Sequence, residues 1–175
     1  GIQPSHIACG NGGADLLYRL AFGLKPRKVL LPVPAFVEYE EALRAAGAEM
    51  VYAPMGEEMR IPQKIEDQIT EDIDLIILCN PNNPTGLLTS RTQILDIIKR
   101  AQQVQCRVMI DECFLEICQE EEEYSVIPYL ETYSNLMVLK SFTKLYAIPG
   151  VWLGYLLSGE EQVIEKVNRA GQAWS

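Results

Sequence analysis

Histidine is almost missing from this sequence: His6 is the only one among 175 residues. That excludes a metal site built on several histidines, and any serine–histidine triad not using His6. Positive charge is also scarce. Fifteen lysines and arginines stand against 24 aspartates and glutamates, a formal charge of -9. Such a balance argues against nucleic acid or an anionic membrane surface as the main partner. No run approaches the roughly 20 apolar residues of a membrane span. No basic segment leads into an apolar one as in a signal peptide. The five cysteines, Cys9, Cys79, Cys106, Cys113 and Cys118, are odd in number, widely spaced and mostly inside apolar runs. They read as reduced residues of a cytoplasmic protein, not as a disulfide framework.

What is present has the balance of a globular chain with a core. Hydrophobic residues make up 48% and charged residues 22%, and the length allows one domain of ordinary size. Gly1 is not a start methionine, and Trp174-Ser175 carries no helix stop signal. The chemistry-bearing residues begin at about Cys9. We therefore expect an incomplete domain cut from a longer chain.

Apolar periodicity and turn residues predict an alternating order of elements. A glycine-rich turn, Gly10-Asn11-Gly12-Gly13, leads into a helix from Ala14 to Phe22, stopped by Gly23. A strand from Lys28 to Pro32 follows, then a helix from Val37 to Ala46 and a strand from Glu49 to Ala53. A short helix is expected from Ile61 to Ile69. Asp74 to Cys79 is a continuous apolar strand of the kind buried on both faces, and Asn80 to Gly86 is a turn. An amphipathic helix runs from Thr89 to Gln103. Strands follow at Arg107 to Ile110, ending at Asp111, at Leu136 to Leu139, ending near Ser141, and at Trp152 to Leu157. A helix from Glu160 to Arg169 is last. Strands alternating with helices imply an α/β fold, three layers deep, with a mostly parallel sheet. No internal repeat is visible. The acidic run Glu120 to Glu123 reads as a solvated loop, with a divalent-ion or partner site as the alternative.

In open α/β sheets, ligands bind beyond the carboxyl ends of the strands. The unusual polar residues of this chain fall there. Asn83 follows one strand, Asp111 ends another, and Ser141, Thr143 and Lys144 follow a third. Phe36 follows a fourth. Each alone has a bland reading: a strand-end aspartate, a surface lysine, a core aromatic. Together they describe one site. Asp111 would be a partly buried carboxylate facing a cationic ring nitrogen. Lys144, amid apolar neighbours, would be a desolvated lysine whose amine can attack an aldehyde. Phe36 would stack on a flat heterocycle. The glycine turn is not the dinucleotide pattern, because Asp15 stands at its last glycine position, and it is not a P-loop. It does open a helix, whose free N–H groups and dipole favour a phosphate. The Ser141 and Thr143 hydroxyls could share that phosphate.

Five motifs in order resemble the fold-type-I pyridoxal-phosphate enzymes, specifically their aminotransferase branch. They are Gly10-Asn11-Gly12-Gly13, Pro34-Ala35-Phe36-Val37-Glu38-Tyr39, Asn80-Pro81-Asn82-Asn83-Pro84-Thr85-Gly86, Asp111-Glu112-Cys113-Phe114 and Ser141-Phe142-Thr143-Lys144. Finer stretches resemble the L-threonine-O-3-phosphate decarboxylases of cobalamin biosynthesis, with the histidinol-phosphate aminotransferases as their sister group. These stretches are Gly23 to Arg27, Pro84 to Leu88, Lys144 to Gly150, and Trp174-Ser175.

The resemblance implies roles. Lys144 would hold the aldehyde of pyridoxal 5'-phosphate covalently, and Asp111 would pair with its protonated ring nitrogen. Asn83 would hydrogen-bond the ring 3-oxygen, and Phe36 would stack on the ring. Gly12, Gly13, Ser141 and Thr143 would hold the phosphate. Residues 1–175 would then be an incomplete large pyridoxal-phosphate-binding domain, without its N-terminal arm and C-terminal small domain. A homodimer acting on a phosphorylated amino acid or amine is implied. The carboxylate-binding arginine of the family lies in the small domain, so the groups that choose decarboxylation over transamination fall outside this chain, which alone should be inactive.

Two departures bear on this reading. Phe114 stands where histidinol-phosphate aminotransferases usually place tyrosine, and the decarboxylases resemble this chain there. Trp152 stands where the family expects an arginine on the cofactor phosphate. Loss of that charge-assisted bond would cost about 2 kcal/mol of binding. Lys140 is a candidate to compensate. The resemblance implies, first, decarboxylation of O-phosphothreonine to aminopropanol phosphate by the parent chain and, second, transamination of histidinol phosphate. A non-catalytic remnant of the fold is the third reading, favoured by Trp152 and opposed by the intact Lys144, Asp111 and Asn83.

Overall fold

Alternating side-chain direction along the continuously buried central strands divides the molecule into two faces. In β5 (Arg107–Asp111) and β6 (Leu136–Ser141), Met109, Met137 and Leu139 pack on one side of the sheet. Val108, Ile110, Leu136 and Val138 pack on the other. Both faces are apolar because helices cover both, which is why these strands read as continuous hydrophobic runs. The structure, a computed structural model, describes residues 1–119, 121–145 and 152–171. Glu120, residues 146–150 of the Lys144 to Gly150 motif, Val151, and Trp174-Ser175 lie outside the described residues.

The remaining strands are β1 (Ile7–Gly10), β2 (Lys28–Val33), β3 (Glu49–Pro54), β4 (Leu75–Cys79) and β7 (Gly154–Ser158). They form one sheet in the order β1-β7-β6-β5-β4-β2-β3. β2 to β6 run parallel, and β7 pairs antiparallel with both β6 and β1. The first face carries helices α1 (Gly12–Leu24) and α2 (Val37–Ala45), and α6 (Glu161–Arg169) at the end of the chain. The second face carries α3 (Arg91–Gln103). Two single-turn helices complete the set: α4 (Glu121–Tyr124) and α5 (Phe142–Leu145). This is the expected three-layer α/β fold with a mostly parallel sheet.

The differences from expectation have local causes. β1 was hidden because four residues beside a glycine turn carry little pattern of their own. Its strand character comes from the antiparallel register Ile7 to Leu157 and Gly10 to Gly154, a contact across most of the chain. The expected helix from Ile61 to Ile69 is only a 3-10 turn, Ile65–Gln68. Ile61, Ile65 and Ile69 are buried at four-residue spacing, but Pro62 and the shortness of the segment prevent a regular helix. α3 begins at Arg91, not Thr89, because the Ser90 hydroxyl accepts the Gln93 N–H at 3.3 Å and caps it. β7 begins at Gly154, which leaves Trp152 before the strand, 63% exposed. The acidic run is not wholly a solvated loop: Glu121–Tyr124 is a helical turn, and Glu121 reaches inward to Lys140. No cluster able to hold a metal ion occurs among the described residues, nor is any helix there long and apolar enough to cross a membrane.

Candidate active site

The carboxyl ends of β1, β4, β5 and β6 and the start of β7 lie at one edge of the sheet, because β7 alone runs against the rest. Gly154 sits where they converge, in register with both Gly10 and Ser141. A Cβ at Gly154 would stand 3.0 Å from the Gly12 carbonyl carbon, 3.0 Å from the Lys140 oxygen and 3.2 Å from the Gly13 nitrogen. All three are backbone atoms, so only glycine lets α1 start this close to β6.

A cavity of about 150 Å³ opens at this edge on the α1 face. All eight residues singled out in the sequence line it: Gly12, Gly13, Phe36, Asn83, Asp111, Ser141, Thr143 and Lys144. Strand parity explains the selection. Asp111 continues the Met109 side of β5, and Ser141 continues the Met137 and Leu139 side of β6. In the turn after β4, Asn80 and Asn82 are consumed by the loop itself. The Asn80 side chain accepts the Thr89 N–H at 2.8 Å and donates to the Thr89 carbonyl at 3.1 Å. The Asn82 amide donates to the Pro34 carbonyl at 3.3 Å and to the Thr85 hydroxyl at 3.1 Å. Asn83 is the asparagine that faces the cavity.

Asp111 is buried, and two neighbours fix it. The Tyr39 hydroxyl donates to Oδ2 at 2.6 Å, and the Cys113 N–H donates to Oδ1 at 2.9 Å. Burial, and then the charge of Asp111, pushes the Tyr39 phenol well above its ordinary range. The same two causes push the Cys79 thiol up to about 12 and the Cys113 thiol upward as well. These three groups stay neutral at physiological pH and surround the Asp111 carboxylate at the cavity wall. The Phe36 ring meets the Tyr39 ring edge-on, with centroids 5.6 Å apart and planes at 87°. Lys144 is exposed, not desolvated as its apolar neighbours in sequence suggest, because sequence neighbours do not fix what covers a side chain. Its Nζ lies 5.3 Å from the centre of the Phe114 ring.

Two features were missed in the sequence. Tyr39 was read only as part of a motif; its position three residues after Phe36, at the start of a helix, was the available signal. The second is a buried ionic cluster behind the cavity, and it corrects the expectation for Lys140. That residue continues the Val138 side of β6, toward α3 and away from the cavity. It is 1% exposed. Its Nζ lies 2.9 Å from Glu121, 3.1 Å from Glu116 and 3.8 Å from Glu112. Burial alone would lower its pKa, but the bond to Glu121 and the charge of Glu112 hold it above its ordinary value. Glu112 in turn accepts the Ser125 hydroxyl and the Val126 N–H, both at 2.8 Å. Lys140 therefore does not replace a missing cation in the cavity.

At the anion end, Gly12 has φ +84°, a conformation suited to glycine, and begins α1. The first-turn N–H groups of a helix lack carbonyl partners within it. The Trp152 indole packs over this point, 3.3 Å from where a Gly12 Cβ would stand.

Sequence comparison decides the lineage. The profile of the aminotransferase class I and II family matches residues 2–175. The chain belongs to that family. Among relatives, a threonine-phosphate decarboxylase of Salmonella typhimurium is 35% identical over 99% of this chain and 48% of its own length. A histidinol-phosphate aminotransferase of Desulfitobacterium hafniense is 33% identical over 100% of this chain and 49% of its own length. The fold matches the crystal structure of histidinol-phosphate aminotransferase from Clostridium acetobutylicum with a TM-score of 0.89, at 28% identity, over 97% of this chain and 50% of that one. It matches L-threonine-O-3-phosphate decarboxylase from Porphyromonas gingivalis with a TM-score of 0.82, at 26% identity, over 98% and 54%. The chain thus spans about half the length of the relatives it matches.

Class I and II aminotransferases are pyridoxal-phosphate enzymes, and the donor set here suits that group. One buried carboxylate, one amide, one primary amine, one aromatic face, two hydroxyls and a helix N-terminus converge on a single cavity.

Proposed function

We propose that these residues serve a pyridoxal-phosphate-dependent lyase that decarboxylates L-threonine O-3-phosphate to (R)-1-amino-2-propanol O-phosphate in cobalamin biosynthesis. The observation that carries this reading is Phe114, a residue of the cavity wall with no hydroxyl to offer. It departs from the histidinol-phosphate aminotransferase pattern and keeps the decarboxylase pattern. The 35% identity with the Salmonella typhimurium decarboxylase over nearly the whole chain supports it.

Lys144 would hold the cofactor aldehyde, and Asp111 would keep a proton on the ring nitrogen. Asn83 would donate to the ring 3-oxygen, and Phe36 would cover one ring face. Gly12, Gly13, Ser141 and Thr143 would hold the phosphate. When bound, pyridoxal phosphate supplies an electron sink for a bond breaking at the substrate Cα. The Tyr39 hydroxyl and the Cys113 N–H hold Asp111 against rotation, so its carboxyl group stays at the cavity wall. Residues 1–175 supply the cofactor half of the site in this reading. Groups that grip the substrate carboxylate belong to a small domain, and the active form is a cytoplasmic homodimer.

Transamination of histidinol phosphate is the second reading, supported by the 33% identity with the Desulfitobacterium hafniense enzyme across the whole chain. The test has two stages. Borohydride reduction in the presence of pyridoxal phosphate should place label on Lys144, and none in Lys144→Ala. The full-length protein should then release carbon dioxide from O-phosphothreonine. Amino transfer from histidinol phosphate to a 2-oxo acid, without carbon dioxide release, would replace the first reading by the second. Scattered label and neither activity would leave the non-catalytic remnant.

A further inference from the structure

The anion end of the cavity has an unusual charge balance. Among the described residues that line the cavity, Lys144 is the only basic one. The residues outside the description, Glu120, 146–151 and 172–175, contain no lysine, arginine or histidine. In the reading above, Lys144 is occupied by the aldehyde. Lys140 faces away and is held by three glutamates. Arg19, in the second turn of α1, is buried and lies 2.6 Å from Asp15, with a further bond to the Cys9 carbonyl at 3.3 Å. The donors that face a phosphate at this end are uncharged: the first-turn N–H groups of α1 at Gly12 and Gly13, and the hydroxyls of the lining residues Ser141 and Thr143. Over them lies an apolar ring. Trp152 is the most exposed large hydrophobic residue of those described, at 63%, yet one edge of it contacts Gly12.

We propose that this site holds phosphate by dipoles alone, with the Trp152 indole standing where a cation would act, and that the chain consequently discriminates weakly between pyridoxal phosphate and pyridoxal. This rests on the reading of the cavity as a pyridoxal-phosphate site. The physical reason is the size of the missing interaction. A hydrogen bond from a charged donor contributes about tenfold to a hundredfold in affinity. Neutral N–H and hydroxyl donors contribute less each, and they give up bonds to water in forming. An indole with one edge on the glycine turn adds apolar contact there without adding charge. Trp152 is in this sense a specificity-determining residue for the cofactor.

The test is to titrate the chain, and its Trp152→Arg, Trp152→Lys and Trp152→Ala variants, with pyridoxal phosphate and separately with pyridoxal. Binding is followed by the absorbance of the bound aldehyde, and the site by mapping the borohydride label. In the unaltered chain the two dissociation constants should lie within about tenfold of each other. Trp152→Arg should tighten pyridoxal phosphate by about tenfold or more while moving pyridoxal less than about threefold, and should make phosphate-form binding weaken with added salt. Trp152→Lys should shift in the same direction, and Trp152→Ala, which removes bulk without adding charge, should not. A preference for the phosphate form above about a hundredfold in the unaltered chain would overturn the proposal while leaving the cofactor site intact. So would an unchanged ratio in both cationic variants. Absence of label on Lys144 with either aldehyde in every protein would overturn the cofactor reading, and this proposal with it.

Discussion

Asp111 owes its usefulness to Tyr39 more than to its own position in the sequence. A carboxylate at a strand end is ordinarily free to rotate into solvent. Here one oxygen is held by a buried phenol and the other by a backbone N–H. Tyr39→Phe removes the first of these and leaves a buried carboxylate oxygen short of a donor. The expected loss is about 1.5–3 kcal/mol of stability, the usual range for a hydrogen bond to a charged group. Pyridoxal phosphate affinity should fall with it, because Asp111 is no longer aimed. Urea unfolding with and without the aldehyde measures both. A variant as stable as the unaltered chain, binding the aldehyde equally well, would show that the Tyr39 bond is incidental. Because the phenol titrates well above its ordinary range, Tyr39 should add no pH dependence of its own near neutrality.

At the scale of elements, the ends of β5 and β6 open onto the cavity on one face and are joined by an ion pair on the other. On the cavity face they present Asp111 and Ser141. On the far face the next residue of one and the preceding residue of the other, Glu112 and Lys140, join the buried ionic cluster. Lys140→Met leaves three glutamates facing one another without a cation. Breaking such a buried set should cost about 3 kcal/mol or more, whereas Lys140→Arg should retain most of the stability. The pH dependence has a definite sign. The folded-state pKa of Lys140 is raised, so its contribution is complete below the unfolded lysine value of about 10.4 and is lost as the pH rises through the folded value. Glu112 is also raised, chiefly by burial. Its contribution is complete only below the unfolded glutamate value of about 4.3 and is lost as the pH rises through its folded value. Denaturant melts should therefore separate the unaltered chain from Lys140→Met at neutral pH and bring the two together at strongly alkaline pH. Equal stability of the two at neutral pH would remove the cluster's claim to hold these strand ends.

For the whole molecule, the most telling surface is apolar. Val37 and Trp152 flank or line the cavity, and Ile117 lies beside its Asn83 and Phe114 wall; they are 59%, 63% and 58% exposed. Leu153 beside Trp152 is 41% exposed. Large hydrophobic residues gathered round one cavity mark a surface that something covers. The matched relatives are about twice as long. The isolated chain should accordingly self-associate, increasingly so at higher concentration, and Ile117→Lys with Val37→Lys should reduce this. Sedimentation over a concentration series checks it. A monomer at every concentration would mean that the exposed residues are too dispersed to act as a patch.

Much of this protein was legible in the order of its residues. Continuous apolar runs ending in asparagine, aspartate or serine specified a doubly covered parallel sheet and the edge at which its chemistry gathers, because strand parity and the strand-end rule are local. The eight candidate positions, named from that rule, the glycine turn and the family resemblance, line one cavity. Other features depended on contacts between distant segments. β1 is a strand only because β7 lies beside it. Lys140 looked like a neighbour of the phosphate by sequence distance. The two-residue repeat of β6 turns it to the opposite face, where glutamates from separate segments neutralise it. Tyr39 became the partner of Asp111 because α2 packs over the end of β5, a meeting of residues 72 positions apart. Sequence thus determined which side chains lie at the strand ends. Tertiary packing decided which face each one looks toward and which partner holds it, since those depend on long-range pairing and burial that no local pattern encodes.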